Sequence, residues 1–162
     1  MEHDLSFTAY DALTIAMNIE TDGQEFYARV AELMPTPKMQ KVMELLGQQE
    51  AEHRKTYEIM RDDVVSLWGK DMLPMDKEIS GFLTIYSNGE VFNEQQKRAL
   101  LDGPVNVEGI IHFAIEAEYR NLAFLAAIRE VVPEEMGKAW VSKIIKEEIG
   151  HIDQLGLILK SL

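Results

Sequence analysis

Glu50-Ala51-Glu52-His53 in the first half of the chain and Glu148-Ile149-Gly150-His151 in the second decide how this sequence is read. Both are Glu-x-x-His. On a helix that spacing puts a carboxylate and an imidazole on one face, one turn apart. Glutamate is common in this chain, so the motif alone says little. Its surroundings say more. The first motif lies in Met43, Leu46, Glu50, His53, Tyr57 and Met60, which step by three and four throughout. The second lies in Val141, Ile144, Glu148, His151, Leu155 and Ile158, with the same steps. This is the spacing of the core-facing stripe of a bundle helix. In both stripes the Glu and the His stand mid-way, where apolar residues are expected.

Sliding the chain by 98 residues without gaps brings the two motifs together and extends the match. Ala16 meets Ala114, Glu20 meets Glu118, Phe26 meets Phe124, Ala28 meets Ala126, Glu32 meets Glu130 and Pro35 meets Pro133. Glu50 then meets Glu148, and His53 meets His151. An internal repeat in one register means two copies of one structural unit, here a helical hairpin.

The prolines punctuate the hairpins. They fall at 35, 37, 74, 104 and 133. The stretches between them predict helices over about 9–33, 37–67, 106–131 and 134–160. Thr8 with Asp11 forms a capping pair for the first helix. Thr36 caps the second ahead of Pro37. Pro133 opens the fourth, followed by Glu134 and Glu135 at the positive end of the helix dipole. Short links make each hairpin antiparallel. The connection over about 68–105 is long enough to cross the bundle, with short helices near 76–86 and 94–101 and a turn at Ser87-Asn88-Gly89. The expected architecture is all-α: one domain over 1–162, a four-helix bundle of two antiparallel hairpins joined by a long crossover.

Composition narrows the function. The chain has 162 residues, 16 Lys plus Arg, 28 Asp plus Glu and a formal charge of −12. That length suffices for one domain with a sizeable core. The acidity argues against nucleic-acid binding and against a polybasic membrane anchor. No apolar run approaches the roughly 20 residues of a membrane span, and Met1-Glu2-His3-Asp4 does not open like a signal peptide. There is no cysteine. This rules out disulfides, thiolate metal sites and cysteine nucleophiles, and it fits a reducing cytoplasm.

The remaining two helices supply more carboxylates. The stripe of the first is Leu13, Met17, Glu20, Gln24 and Tyr27, and that of the third is Ile111, Ile115, Glu118, Leu122 and Leu125. Four helices thus aim one glutamate each at the bundle axis, and two add a histidine. Carboxylates and imidazoles cannot share a dry core unpaired. No Lys or Arg lies in the four stripes. Two divalent cations would balance the four glutamates. Mixed carboxylate and imidazole ligation suits iron or manganese, and zinc also accepts it. One Glu from each of two helices plus Glu-x-x-His from the other two is the ligand count of the di-iron carboxylate bundles.

At this level the chain resembles the four-helix domain of the rubrerythrin branch of the ferritin-like proteins. The likeness covers about 9–67 and 105–160. It rests on Ala16, Glu20, Phe26 and Tyr27, and on Gln49-Glu50-Ala51-Glu52-His53. The resemblance implies that Glu20, Glu50, His53, Glu118, Glu148 and His151 are metal ligands. It implies that Glu50 bridges together with Glu118 or Glu148, and that Tyr27 stands beside the cluster. There are two departures. Asn121 occupies the place where peroxide-reducing relatives carry a further Glu, and the cysteine-ligated rubredoxin domain of those relatives has no counterpart here.

The neighbours of these residues read differently. Glu52, Glu116 and Glu147 are rotated off the stripes and are expected to be solvated. His3 and His112 read as surface histidines. Tyr57 and Gln24 each lie one turn from a candidate ligand and read equally as hydrogen-bond partners or as packing. The expected function is a di-iron oxidoreductase that reduces peroxide or dioxygen with electrons from an external donor protein. The alternatives are a ferroxidase or iron-handling protein with Fe(II) as substrate, and a non-redox bundle holding zinc. A homodimer or larger homo-oligomer is compatible with any of these.

Overall fold

Two helical hairpins form the frame, and each is started by chemistry visible at its first residues. In the computed structural model, residues 7–69 and 75–162 are described. Helix α1 spans Ala9–Leu33 and α2 spans Pro37–Trp68. Thr8 and Asp11 close a reciprocal capping box, in which the Thr8 amide donates to the Asp11 carboxylate at 2.9 Å. The Thr36 hydroxyl accepts from the Met39 amide at 3.2 Å, and Pro37 occupies the first turn of α2. The second hairpin is α5, Val107–Val131, and α6, Lys138–Ser161. Asn106 caps α5 by accepting from the Gly109 amide at 3.0 Å.

The start of α6 departs from expectation. Pro133 opens only a short 3-10 turn, Glu134–Met136, and the α-helix begins after Gly137. Gly137 has φ +100°, a left-handed conformation that breaks the helix and suits glycine. A Cβ at this position would also meet the Met60 side chain at 3.4 Å.

The crossover between the hairpins carries α3, Lys77–Tyr86, and α4, Glu94–Leu101. Its first described residue, Met75, donates its amide to the carbonyl of Phe7 at 2.8 Å. Residues 1–6 and 70–74, including His3 and Pro74, lie outside the described part. In the crossover, α3 packs on α5, and α4 packs on both α5 and α1. Between α3 and α4, Phe92 turns into the core and packs on Phe26, with ring centroids 5.4 Å apart.

Within each hairpin the helices pack along their length, α1 on α2 and α5 on α6; α1 meets α5 and α2 meets α6 across the bundle. The stripes of α2 and α6 are buried at every position expected. The stripes of α1 and α5 are shifted by one residue below the ligands. Gln24 is exposed and Gly23 is buried; Leu122 is partly buried and Asn121 is buried. Among the described residues no helix is long and apolar enough to cross a membrane.

Candidate metal centre

Six ionisable side chains from four helices meet in the middle of this core. Glu20 comes from α1, Glu50 and His53 from α2, Glu118 from α5, and Glu148 and His151 from α6. None is more than 3% exposed. The described buried polar residues include no lysine or arginine.

Their donor atoms fall into two overlapping groups. One is Glu20, Glu50, His53 and Glu148; the other is Glu50, Glu118, Glu148 and His151. Within each group the ligand atoms lie within 4.8 Å of one another. Glu50 and Glu148 are common to both. Each of these two glutamates belongs to a Glu-x-x-His motif.

The contacts repeat across the two hairpins. His53 Nδ1 lies 3.0 Å from Glu148, 3.5 Å from Glu20 and 3.6 Å from Glu50. His151 Nδ1 lies 2.7 Å from Glu148, 3.2 Å from Glu50 and 3.4 Å from Glu118. Shifting each residue number by 98 turns one set into the other, so the hairpins are related by an approximate two-fold exchange. The imidazoles stack across it, with centroids 5.8 Å apart and planes 17° from parallel.

These short distances are not hydrogen bonds. Both oxygens of Glu20, one each of Glu50, Glu118 and Glu148, and Nδ1 of both histidines are buried without a hydrogen-bond partner. The donors converge on common points rather than on one another. A cation at each point would satisfy them, and the hard-oxygen and imidazole set fits iron, manganese or zinc.

The electrostatics show the same crowding. Burial pushes Glu20 well above the carboxylate range, and the nearby Glu50 adds to it. Burial, with the charges of Glu148 and Glu50, pushes Glu118 up to about 8. Burial also acts on Glu50, but the close approach of the Glu20, His151 and His53 side chains outweighs it and holds that group low. Burial opposes charge on both imidazoles, and the surrounding carboxylates reverse it. His53 is raised far above its ordinary value, and His151 is pushed up to about 12. Protons and carboxylates here are balanced against each other, as expected of a site built for cations.

Around the six, the halves diverge. Tyr27 donates its hydroxyl to Glu118 Oε1. Asn121 donates to Glu148 Oε1 at 3.2 Å. Tyr57 is fully buried with no partner for its hydroxyl, so at this site it acts as packing. Gln24 points away, and the position facing Glu50 belongs to Gly23. His112 is exposed, 3.9 Å from Glu108. Glu52 and Glu116 are exposed as expected.

Glu147 corrects its expectation. It is only 34% exposed, and its Oε2 lies 3.0 Å from His53 Nε2. This fixes the outer nitrogen of His53 and turns Nδ1 toward the carboxylates, the arrangement found around metal-ligating histidines. Glu147 sits in a cleft of about 500 Å³ between α2 and α6 that reaches His53. The repeat carried a signal for it, since Glu147 pairs with Gln49 and both are polar at the edge of a stripe.

A solved structure from Thermotoga maritima, assigned by its description to the ferritin-like diiron-carboxylate proteins, matches over 96% of this chain and 96% of that one, with a TM-score of 0.69 at 19% identity. The fold is ferritin-like. No family model matches the sequence, and no curated protein matches it significantly. In this ferritin-like bundle the two hairpins meet at the shared carboxylates, and the crossover lies on their flank.

Proposed function

We propose that the chain is a di-metal carboxylate protein, with iron as the resident metal, that reduces peroxide or dioxygen using electrons from an external donor protein. The observation that carries this reading is the sharing of Glu50 and Glu148 by two adjacent four-residue donor sets. Glu20 and His53 complete one set, and Glu118 and His151 the other.

Iron held there would supply the redox chemistry. The chain's own groups do the rest. The apolar walls exclude bulk water and strengthen every charge interaction inside. Tyr27 holds a proton at Glu118 Oε1, where it can serve a substrate oxygen. Burial, with the charge of Glu118, pushes its hydroxyl well above the ordinary phenol range, so that proton is kept at neutral pH. Glu147 orients His53. The chain has no cysteine, so it has no thiolate-bound electron-transfer centre, and reduction comes from outside.

A second reading takes Fe(II) itself as the substrate. It is favoured by the cleft between α2 and α6, which offers a cation a path to His53. Anaerobic loading with Fe(II), followed by metal analysis and absorption spectra before and after peroxide, tests both. Two irons per chain and repeated peroxide turnover with a small-protein reductant support the first reading. Repeated Fe(II) oxidation with release of ferric product supports the second. Tight zinc binding without any redox change would set both aside. If Glu50→Ala and Glu148→Ala leave two-metal binding intact, the site itself is misassigned.

A further inference from the structure

The two metal positions differ in what lies outside them. On the His53 side, the cleft between α2 and α6 is lined by Glu52, Thr56, Trp140, Lys143 and Glu147, with His53 at its floor. The Glu147 carboxylate is shared. It lies 3.0 Å from His53 Nε2 and 3.6 Å from the exposed ammonium of Lys143. One partly exposed ion pair therefore separates the ring from solvent, and such pairs are weakly held.

The His151 side lacks these features. The repeat pairs Glu147 with Gln49, which lines the same cleft, and places Leu45 where Lys143 stands and Val42 where Trp140 stands. His151 is 0% exposed, and its outer nitrogen is buried without a partner. Tyr27 holds Glu118 on this side through a direct hydrogen bond, while Asn121 holds the Glu148 oxygen that faces His53.

We infer that the cleft between α2 and α6 is an exchange port for one metal position only. The divalent ion held by Glu20 and His53 enters and leaves past Glu147. The ion held by Glu118 and His151 is retained. This rests on the di-metal reading. Incoming cations meet the carboxylates of Glu52 and Glu147 first. When Glu147 moves toward Lys143, the His53 ring is free to turn and pass the ion inward. In the closed position the Glu147 carboxylate holds the ring with Nδ1 facing Glu20, Glu50 and Glu148.

The test uses the full chain loaded with two equivalents of Co(II), then mixed with excess chromogenic chelator. Loading is measured first. Failure to bind two ions would overturn the di-metal reading and the port with it. If two ions bind, release is expected in two phases of one equivalent each, separated by at least about tenfold in rate. His53→Ala is expected to remove the fast phase and His151→Ala the slow one. Glu147→Gln is expected to speed the fast phase about tenfold and leave the slow phase unchanged. Thr56→Phe, which fills the cleft without touching a ligand, is expected to slow the fast phase alone. A single release phase, or equal effects of Glu147→Gln and Thr56→Phe on both phases, overturns the port while leaving the di-metal reading intact.

Discussion

The half of the site around His53 and the half around His151 have the same ligands in the same register but different supports. His53 is oriented from outside by a carboxylate at a cleft. His151 has no such carboxylate, and its half is braced from inside by Tyr27. Symmetry is kept where charge must be balanced over two positions and is lost where each position meets the rest of the protein. The six candidate ligands keep the symmetry, whereas the cleft opens on the His53 side and the Tyr27 hydroxyl stands on the other.

The largest effect should come from breaking what the halves share. Glu148→Ala is expected to reduce metal capacity from two ions to fewer than one per chain, because both donor sets contain it. Glu20→Ala and Glu118→Ala are each expected to leave one ion bound. Elemental analysis of desalted protein, with circular dichroism as the fold check, measures this. Loss of one ion only in Glu148→Ala would mean that the halves are independent.

A smaller effect separates metal-loaded from chelator-treated protein. Burial and neighbouring carboxylates push Glu118 up to about 8, from 4.5. Burial opposes charge on His151, but Glu118, Glu148 and Glu50 push it up to about 12, from 6.5. The native state therefore holds protons that the unfolded chain gives up. The stabilisation from each group is complete below its unfolded value and is lost as pH rises through the native one. Chelator-treated protein should lose about 5 °C or more of melting temperature between about pH 5 and about pH 9. Metal replaces those protons, so the loaded protein should change less. A melting temperature that rises over that range without metal contradicts the proposed charge balance.

The support of each half can be probed separately. Tyr27→Phe removes the hydrogen bond to Glu118 and is expected to weaken one of the two ions about tenfold in a competition titration. Tyr57→Phe removes a hydroxyl that makes no hydrogen bond and should change either affinity by less than about threefold. Equal effects from the two would erase the distinction between the halves. The smallest effect sets the baseline. His112→Ala, at an exposed position outside both halves, should alter unfolding free energy by less than about 0.5 kcal/mol in urea.

The helices and the six candidate ligands were legible because each sits on an apolar stripe whose interruption by charge is conspicuous. The register just past the ligands on α1 and α5 was not. After Glu20, a step of three reaches Gly23 and a step of four reaches Gln24, and both fit a 3.6-residue period. Hydropathy cannot choose between a glycine and a glutamine. The same ambiguity stands at Asn121 and Leu122, where the period put Leu122 on the stripe and only the family resemblance singled out Asn121. The sequence pattern predicts a solvated Glu147 because it is rotated off the stripe of Glu148. It reaches His53 because the groove between α2 and α6 opens there. That is a property of two helices together. Likewise Gly137 marks the start of α6 by its backbone angle, while Pro133 carries the stronger local signal.

Phe92 belongs to the crossover, the segment that has no twin in the repeat. Its ring tip lies where a Cβ on Gly23 would come within 3.2 Å of it, and within 3.3 Å of the Glu50 side chain. A glycine leaves a gap in the wall of a helix, and here an aromatic ring from another part of the chain fills it. Two hairpins alone would carry all six ligands yet admit water behind Glu50. The untwinned segment is therefore the seal of a twinned site. An excised pair of hairpins could bind metal but would not keep it dry.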